Sequence, residues 1–504
     1  MKVLVANRGE IAIRIMRACR EMGLESVAVY SECDRCAPHV TYADEAYAIG
    51  ASESKESYLS VDKILEVAES ADVWAVHPGY GFLSENGEFA ASVRAAGRVF
   101  VGPSADAIAL MGGKVAAREK AVAAGVPVVP GTGAPVDPAI SHDEMIALAS
   151  TIGYPLLVKA VAGGGGKGMR LVSEPSAITT AITTARSEAG SAFGDDAVYL
   201  ERQLQFPRHI EIQILADEHG TVVPFVEREC SIQRRYQKLV EESPASGMSL
   251  QRRTAMADAA VSIAKAVDYT NAGTVEFLVD ESGDFYFLEM NTRLQVEHGV
   301  TEAVTGVDLV RWQLRIAQGE KLDSTLGHTL KPTGHAIECR VYAEDPDASF
   351  LPSPGRIRGL QSPSGPGIRE DSCAVLGGEV PVFYDPLISK VVAWGADRTH
   401  AIARMRRAMD EFRVQGIKTT IPFFQWLIRS RAFAEGAIDT TFVDAALAER
   451  DGRAFTDPSS EAEEVAVIAV AAHAFLESVG GETTEPLETS SPWRRAARAA
   501  ALRT

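Results

Sequence analysis

The sequence predicts a protein of several domains that begins with a parallel α/β domain and continues with α+β domains. The chain has 504 residues, which corresponds to about three domains of ordinary size. Its composition, 46% hydrophobic and 23% charged, is typical of a globular chain. Short β-rich runs alternate with helical patterns through about the first 100 residues, and this alternation is typical of a parallel sheet covered by helices.

The first domain is predicted to span residues 1–113. Its strands are expected at residues 2–6, 26–30, 73–77 and 100–102, and its helices at residues 10–22, 62–70 and 89–96. The glycine fingerprint of a dinucleotide site does not follow the first strand, where Asn7-Arg8-Gly9-Glu10 stands instead. A dinucleotide-binding site is therefore disfavoured.

Three more segments follow the first domain. The second domain, residues 114–330, is expected to contain a helix at 115–124 and strands at 156–160, 169–172, 198–201, 210–215 and 222–227. The third, residues 331–445, is expected to have its own strands at 336–342 and 387–394 and an amphipathic helix at 399–412. Residues 446–504 are expected to form a helical tail, in which Ser460 and Glu463 make a capping box and Gly480-Gly481 ends the helix.

Charge and composition exclude several classes of protein. Lys and Arg total 50 and Asp and Glu total 68, so the net charge is −18. Such an acidic chain is not expected to bind nucleic acid or an anionic membrane non-specifically. The longest apolar stretch, residues 465–476, is too short to span a bilayer, and the first eight residues reach a charge before a signal-peptide core could form. The expected location is the cytoplasm.

Six cysteines in a chain of this length do not indicate a disulfide scaffold. Cys33 and Cys36 have the spacing of a redox or metal pair, but no second pair completes a zinc site. Incidental spacing is the favoured interpretation, and a redox or metal role is the alternative.

The segment from Thr274 to Asn291 predicts a metal site. Two β-rich runs flank Ser282-Gly283, which predicts a hairpin with a two-residue loop. In that register Glu276 lies opposite Glu289, and Asn291 shares the face of Glu289. Two opposed like charges destabilise a strand pair unless a cation lies between them. We therefore expect Glu276, Glu289 and Asn291 to hold Mg²⁺ (or Mn²⁺) together with nucleotide phosphates; the alternative is an exposed face with solvated carboxylates.

Three other charged segments are candidates for function, each with a plain alternative. Arg293 and Glu297 offer a fixed cation and a candidate base beside the metal face, or an ordinary ion pair. Lys159 and Lys167 bracket a glycine run that predicts a hairpin tip closing over phosphates, or a flexible linker. Residues 229–238 contain three cations and two glutamines, which indicate an anion site or a solvated basic stretch.

The most specific motifs are long and occur in a fixed order. They are residues 6–12 (Ala-Asn-Arg-Gly-Glu-Ile-Ala), 77–86 (His-Pro-Gly-Tyr-Gly-Phe-Leu-Ser-Glu-Asn), 227–238, 289–293 (Glu-Met-Asn-Thr-Arg), 295–298 (Gln-Val-Glu-His) and 338–340 (Glu-Cys-Arg). Together with Lys159 and the glycine run, they resemble the motifs of biotin carboxylases over residues 1 to about 445. The resemblance implies an ATP-grasp fold, with a lid at about residues 132–203 in the second domain and a C-terminal domain that completes the site.

The resemblance also implies a role for each matching residue. The residues that would bind ATP are Lys114, Lys159, Gly164, Gly165, Gly166, Lys167, Gly168, Glu201, Leu204, His209, Gln233 and Leu278. Those that would bind bicarbonate are Lys238, Arg293, Gln295 and the backbone of Val296. Glu297 would be the general base, and Arg340 would stabilise the enolate-like oxygen of deprotonated biotin. The resemblance thus makes Glu297, Arg293, Arg340 and Lys238 the catalytic group.

Three positions depart from the family's pattern. Tyr236 stands where the family usually has His, which puts a nucleotide contact in doubt. Gly299 replaces the usual Pro after the base and would loosen the turn behind it. Arg202 replaces a common Lys, a change without consequence if the backbone recognises adenine.

The activity implied by the resemblance is the carboxylation of biotin with ATP and bicarbonate. No Met-Lys-Met biotinylation motif occurs in the sequence, so biotin is expected on a separate carrier protein, with a carboxyltransferase as second partner and a homodimer as the assembly. The tail weakly resembles a segment of acyl-CoA carboxylase α-subunits, which predicts partner docking or packing on the body. The alternatives are another ATP-grasp ligase that forms an acyl or carbamoyl phosphate, or a non-catalytic nucleotide-sensing protein. The final acceptor, such as acetyl-CoA, propionyl-CoA or pyruvate, is left open.

Overall fold

The computed structural model of the chain describes residues 1–162, 169–322, 326–455 and 460–479, with side chains of the last range described at 464–476. The chain divides into two compact units, Met1–Arg453 and Ala454–Thr504. The described helices include none with the length and apolar character that a membrane crossing requires.

The N-terminal part of the first unit is a parallel sheet with a hydrophobic core on each face. Its strands are β1 (Lys2–Val5), β2 (Glu25–Tyr30), β3 (Glu45–Ala48), β4 (Ala75–His77) and β5 (Val99–Phe100). Its helices are α1 (Gly9–Glu21), α2 (Pro38–Tyr42), α3 (Val61–Ser70), α4 (Gly87–Ala95) and α5 (Ala105–Gly112), with 3-10 turns at Glu32–Asp34 and Ser54–Glu56. The strands pair in the order β3-β2-β1-β4-β5. Val3 and Val5 enter one core and Leu4 the other, as expected for a strand buried on both faces.

A small antiparallel sheet with its own core follows. Its elements are α6 (Lys114–Ala123), α7 (His142–Ile152), β6 (Leu156–Ala160), β7 (Arg170–Val172), α8 (Ile178–Phe193) and β8 (Val198–Arg202), with a 3-10 turn at Pro175–Ala177. The strand order is β7-β6-β8, and α7 begins with a capping box between Ser141 and Glu144. Strands β6 and β7 flank the glycine run in antiparallel pairing, as the sequence predicted; residues 163–168 lie outside the described residues.

A nine-stranded antiparallel sheet forms the centre of the first unit. Its first half contains β9 (Arg208–Ala216), β10 (Val222–Pro224), β11 (Arg228–Arg234), β12 (Gln237–Ser243), α9 (Leu250–Ala266), β13 (Asn271–Val279), β14 (Phe285–Asn291), α10 (His298–Thr305) and α11 (Leu309–Ala317). The C-terminal part of the unit contains β15 (His335–Tyr342), β16 (Glu344–Asp345), β17 (Leu351–Pro352), β18 (Gly355–Arg356), β19 (Gly359–Gln361), β20 (Ile368–Ser372), β21 (Glu379–Val380), β22 (Leu387–Gly395), α12 (Arg398–Glu411), β23 (Arg413–Gln415), α13 (Ile421–Leu427), α14 (Arg431–Glu435) and α15 (Phe442–Arg450), with a 3-10 turn at Pro346–Ala348. Of these strands, β15, β20 and β22 join the central sheet, and the others form the two-stranded pairs β16-β17, β18-β21 and β19-β23. The order is β14-β13-β9-β11-β12-β15-β22-β20, and β10 pairs with β9.

The C-terminal strands expected at residues 336–342 and 387–394 are present and join the central sheet. Strand β15 pairs with β12 and with β22, so the C-terminal region extends the central sheet and delivers its side chains to the same face. The strand expected at residues 222–227 ends at Pro224.

The second unit contains helix α16 (Ser460–Val479). The predicted end of the helix at Gly480-Gly481 lies outside the described residues. The predicted capping box of Ser460 and Glu463 lies outside the described side chains. Several apolar side chains of α16 are exposed, among them Val467 and Val470 at 68% and 69%.

Candidate active site

The site is built on one face of the central sheet, and strand β9 shows why. Its residues alternate between isoleucine and polar side chains, so that Ile210, Ile212 and Ile214 enter a hydrophobic core. Because side chains alternate across a strand, His209 and Glu211 are directed to the opposite face, where both are buried. A polar row on a buried face requires partners, and the neighbouring strands supply them.

The hairpin of β13 and β14 places Glu276 directly opposite Glu289, as predicted. The predicted two-residue loop is wrong. Asp280 pairs with Asp284 through its backbone, which leaves a three-residue loop with Gly283 at φ +88°, the conformation that such a loop requires. The longer loop shifts the register by one residue, and an irregularity after Glu276 shifts it back.

Glu276 is the best-connected carboxylate of this face. It receives hydrogen bonds from Lys238 Nζ at 2.8 Å, Asn291 Nδ2 at 2.8 Å and Gln295 Nε2 at 2.9 Å, and it lies 2.8 Å from His209 Nε2. Burial alone would raise the pKa of Glu276, but the Lys238 ammonium and His209 hold it well below its usual range. Glu276 is therefore an anion at any working pH.

Glu289 is in a different electrostatic state. Its pKa is raised by burial and by the facing Glu276, with only partial compensation from Lys114 and Lys238. Two opposed carboxylates and the amide oxygen of Asn291 therefore form an all-oxygen donor set that is short of positive charge. This donor set fits a hard divalent cation such as Mg²⁺.

Lys238 connects the metal-binding face to the candidate base. Its Nζ atom donates to Glu211 at 2.6 Å, to Glu276 at 2.8 Å and to Glu297 at 2.7 Å. All three donor positions of the ammonium are thus used by carboxylates. Of the cations in residues 229–238, Lys238 is thus part of this buried face, whereas the nearby Tyr236 is 60% exposed.

Glu297 is fully buried between two cations. Lys238 contacts one carboxylate oxygen, and Arg340 Nη2 donates to the other at 2.8 Å. Burial would raise the pKa of Glu297, but Lys238 and Arg340 hold it well below the ordinary value. A ligand that draws these cations away from Glu297 would raise its proton affinity.

Arg293 and Gln295 lie beside this group, because Gln295 donates to Glu276 and Arg293 donates to Gln295. Arg293 donates from Nε to Glu85 at 2.9 Å and from Nη1 to Gln295 Oε1 at 2.9 Å. The carbonyl of Val296 accepts a hydrogen bond from Lys390 at 2.8 Å. The structure thus brings together all four residues that were predicted to bind bicarbonate.

The predicted nucleotide-binding residues lie at the junction of the small and central sheets. Lys159 Nζ and Arg118 Nη1 contact the Glu201 carboxylate, the latter at 3.3 Å. Lys114 begins α6, which packs against β14, the strand of Glu289; burial lowers the pKa of Lys114, and Glu289 opposes this effect. Leu204 and Leu278 are half-buried, and Gln233 is buried opposite Lys238. The predicted lid residues Gly164, Gly165, Gly166, Lys167 and Gly168 lie outside the described residues.

Sequence reasoning missed several residues of the site. Glu211 could have been found, because it occupies a polar position in the strict alternation of β9. Glu85 belongs to a motif that was noted for its resemblance only. Arg228 likewise belongs to a motif noted for its resemblance only; it is fully buried and contacts Glu211, Gln213 and Thr301.

Comparisons with known proteins match this architecture. Family models match residues 1–108 (biotin carboxylase, N-terminal domain), 113–325 (carbamoyl-phosphate synthase L chain, ATP binding domain) and 338–445 (biotin carboxylase C-terminal domain). A pyruvate carboxylase subunit of Methanothermobacter thermautotrophicus is 53% identical over 444 residues, which are 88% of this chain and 89% of that protein. The biotin carboxylase of Nostoc sp. is 51% identical over 442 residues, 88% of this chain and 98% of that protein. The chain belongs to the biotin carboxylase family.

Solved structures of biotin carboxylases have the same fold. A Campylobacter jejuni biotin carboxylase, crystallised as a β,γ-ATP complex, has a TM-score of 0.84 and 44% identity, with 88% of this chain and 98% of that chain covered. The biotin carboxylase domain dimer of Hydrogenobacter thermophilus 2-oxoglutarate carboxylase, with MgADP, ADP and bicarbonate, has a TM-score of 0.84 and 43% identity, with 88% and 97% covered. The predicted family, ATP-grasp fold and enzyme class, an ATP-dependent ligase that carboxylates biotin, are confirmed.

Proposed function

We propose that this chain uses ATP, Mg²⁺ and bicarbonate to carboxylate biotin on a separate carrier protein, with the predicted residues in the predicted roles. One observation supports this most strongly: the Lys238 ammonium lies between the metal-binding carboxylate Glu276 and the buried base Glu297. One ammonium group therefore contacts both the residue proposed to bind the metal and the residue proposed to transfer the proton.

The first step joins two anions, and the site supplies the positive charge that this requires. A bicarbonate oxygen attacks the γ-phosphorus of ATP, the bond to ADP breaks, and carboxyphosphate forms. Lys238 and Arg293 hold the bicarbonate, with Gln295 and the Val296 amide as further donors. Lys114, Lys159 and His209 hold the phosphates, so that fixed positive charge offsets the repulsion. Mg²⁺ held by Glu276, Glu289 and Asn291 would neutralise phosphate charge when bound.

Glu201, Leu204, Gln233 and Leu278 contact the nucleoside end of ATP in this proposal. The Glu201 carboxylate is already paired with Lys159, so adenine would be read by the backbone beside it. Gly164, Gly165, Gly166, Lys167 and Gly168 would cover the phosphates. A closed cover keeps water from the reactive carboxyphosphate.

The second step requires a base and an oxyanion partner, and Glu297 and Arg340 provide them. Carboxyphosphate breaks down to CO₂ and phosphate beside biotin. The ureido N1 loses its proton and attacks the carbon of CO₂, and Arg340 stabilises the negative charge that develops on the ureido oxygen. Glu297 lies between Lys238, which would bind bicarbonate, and Arg340, which would bind biotin. From there it could accept a proton from either ligand. Its proton affinity rises as those cations turn to the ligands.

The test is bicarbonate-dependent ADP formation by the purified protein, stimulated by free biotin or by a biotinylated carrier. A ligase with another substrate would form ADP without a response to biotin. A nucleotide-sensing protein would bind ATP and never form carboxybiotin. Either result would contradict the proposed function.

The partners and surroundings are also proposals. The chain forms a homodimer, as the Hydrogenobacter relative does, and works beside a carboxyltransferase.

The tail docks another protein of the complex, because exposed apolar side chains such as Val467 and Val470 are typical of interaction surfaces. The six cysteines are free, which is consistent with the reducing cytoplasm.

A truncation tests the docking proposal. The chain ending at Arg453 is expected to carboxylate free biotin normally and to lose co-purification with its partner proteins. Unchanged co-purification would contradict docking by the tail. Light scattering of the same two chains measures whether each is a dimer.

A further inference from the structure

Lys390 is a fully buried cation at the meeting point of three regions of the chain. It lies on β22 and pairs directly opposite Arg340 on β15, so both side chains are directed to the same face. Its Nζ atom donates to the Val296 carbonyl at 2.8 Å and lies 3.1 Å from Glu10 Oε1. A lysine with no exposed surface is rare in proteins unless it is paired.

Glu10 connects this lysine to the N-terminal sheet. It lies in the first turn of α1, is 6% exposed and accepts a hydrogen bond from the Tyr80 hydroxyl. The Lys390 ammonium also lies 5.7 Å from the centre of the Tyr80 ring. Glu10 of the first domain thus contributes, together with Glu338 and Asp371, to balancing the charge of a cation from the C-terminal region, and that cation holds a carbonyl of the central region.

The held carbonyl belongs to the peptide that joins Val296 to Glu297. A peptide group is planar, so fixing the carbonyl also fixes the plane that leads into the base. Arg340 holds the carboxylate of Glu297 at 2.8 Å, and Lys390 holds the backbone immediately before it. The two neighbouring cations therefore fix Glu297 from its side chain and from its main chain.

We infer that Lys390 is a positioning residue for the bicarbonate site: it holds the Val296–Glu297 peptide in place, and Glu10 holds Lys390. The inference rests on the proposed function, because Val296 and Glu297 gain their roles from it. Lys390 itself touches neither substrate. Replacing Lys390 should therefore raise the KM for bicarbonate more than the KM for ATP.

The decisive variants are K390M and the double variant E10Q/K390M. K390M leaves the buried Glu10 without its cation, and such an unpaired charge is strongly destabilising. The double variant removes both charges and is expected to fold with a melting temperature close to that of the unmodified protein. In both variants we expect the KM for bicarbonate to rise by about tenfold or more, the effect of losing a hydrogen bond from a charged donor, with the KM for ATP unchanged. K390R, which retains the charge, should recover part of the loss.

The matched control is R253M. Arg253 contacts the buried Glu227 through two hydrogen bonds, at 2.5 and 2.9 Å, on residues that the proposed mechanism does not use. R253M should lower the melting temperature as K390M does, with an unchanged KM for bicarbonate. This separates a positioning effect from lost stability.

Two failures are distinguishable. If the unmodified protein shows no bicarbonate-dependent ADP formation, the proposed function fails. If the unmodified protein is active and E10Q/K390M keeps its KM for bicarbonate, or loses affinity for ATP and bicarbonate equally, the role of Lys390 is overturned. Should K390M not fold, the double variant gives the same answer.

Discussion

Two of the directly opposed glutamate pairs in the central sheet share their strand geometry but differ in their hydrogen bonding and protonation. Glu276 faces Glu289 across β13 and β14, and Glu241 faces Glu338 across β12 and β15. Glu276 has hydrogen bonds from three side chains. Glu241 and Glu338 have no exposed surface, and their four carboxylate oxygens accept no well-aligned hydrogen bond from the described residues.

The electrostatic states of the two pairs diverge accordingly. In the first pair Glu276 stays anionic while the pKa of Glu289 is raised, which suits a divalent cation. In the second pair burial raises the pKa of Glu241 to about 7 although Arg340 lies 2.5 Å away, and it raises that of Glu338 well above its usual range. Two buried carboxylates this close cannot both ionise, so the second pair retains a proton. Opposed acids therefore indicate a metal only where a ligand can reach them.

The largest effect is expected from breaking the first pair. E276Q or E289Q replaces one carboxylate ligand of the metal by a neutral amide. ADP formation should fall by about 10³-fold, because a catalytic metal contributes several kcal/mol of charge stabilisation. Titration of ATP binding with Mg²⁺ should show weaker metal dependence. E281Q, in the exposed loop of the same hairpin, is the control and should be unaffected. Full activity of both site variants would exclude the metal role.

The next effect concerns Glu297, which lies between the two pairs. Lys238 joins it to Glu276, and Arg340 contacts both Glu297 and Glu241. E297Q should lower biotin carboxylation by about 10²-fold or more, the contribution of a positioned base, while the affinity for ATP measured by equilibrium binding is retained. Near-normal turnover would remove Glu297 from the base role.

The two pairs also show which parts of the site could be predicted from the sequence. The pair in the hairpin was predictable because its strands are adjacent in the chain, although the loop was assigned one residue too short. The alignment survived only because the irregularity after Glu276 cancels the error. The second pair was not predictable: Glu338 was noted in its motif, but its partner is set by the long-range pairing of β12 with β15. Lys390 was missed for the same reason, since its contacts come from the first and central regions.

A smaller effect is expected from E338Q, and its sign depends on pH. Because the pKa of Glu338 is raised in the folded chain, the folded state holds a proton that the unfolded state releases above about pH 4.5. The wild-type protein should therefore lose stability as pH rises through the neutral range. Glutamine removes this dependence, so the melting temperature of E338Q should match the wild type near pH 5 and exceed it by a few degrees at pH 8. Equal destabilisation at both pH values would mean that Glu338 is charged.

The smallest effect tests whether Glu338 is held firmly. A Cβ atom at Gly299 would lie 3.0 Å from Glu338 Oε2 and 3.1 Å from Val392 Cγ2, so G299A requires both the carboxyl group and the valine methyl group to shift by a few tenths of an ångström. An acid without hydrogen bonds can make this shift, and alanine is favoured over glycine in a helix by about 0.5–1 kcal/mol. G299A should therefore raise the free energy of unfolding slightly, by about 0.5 kcal/mol or less. A loss of stability in urea unfolding would show that Glu338 or Val392 cannot make room for the methyl group.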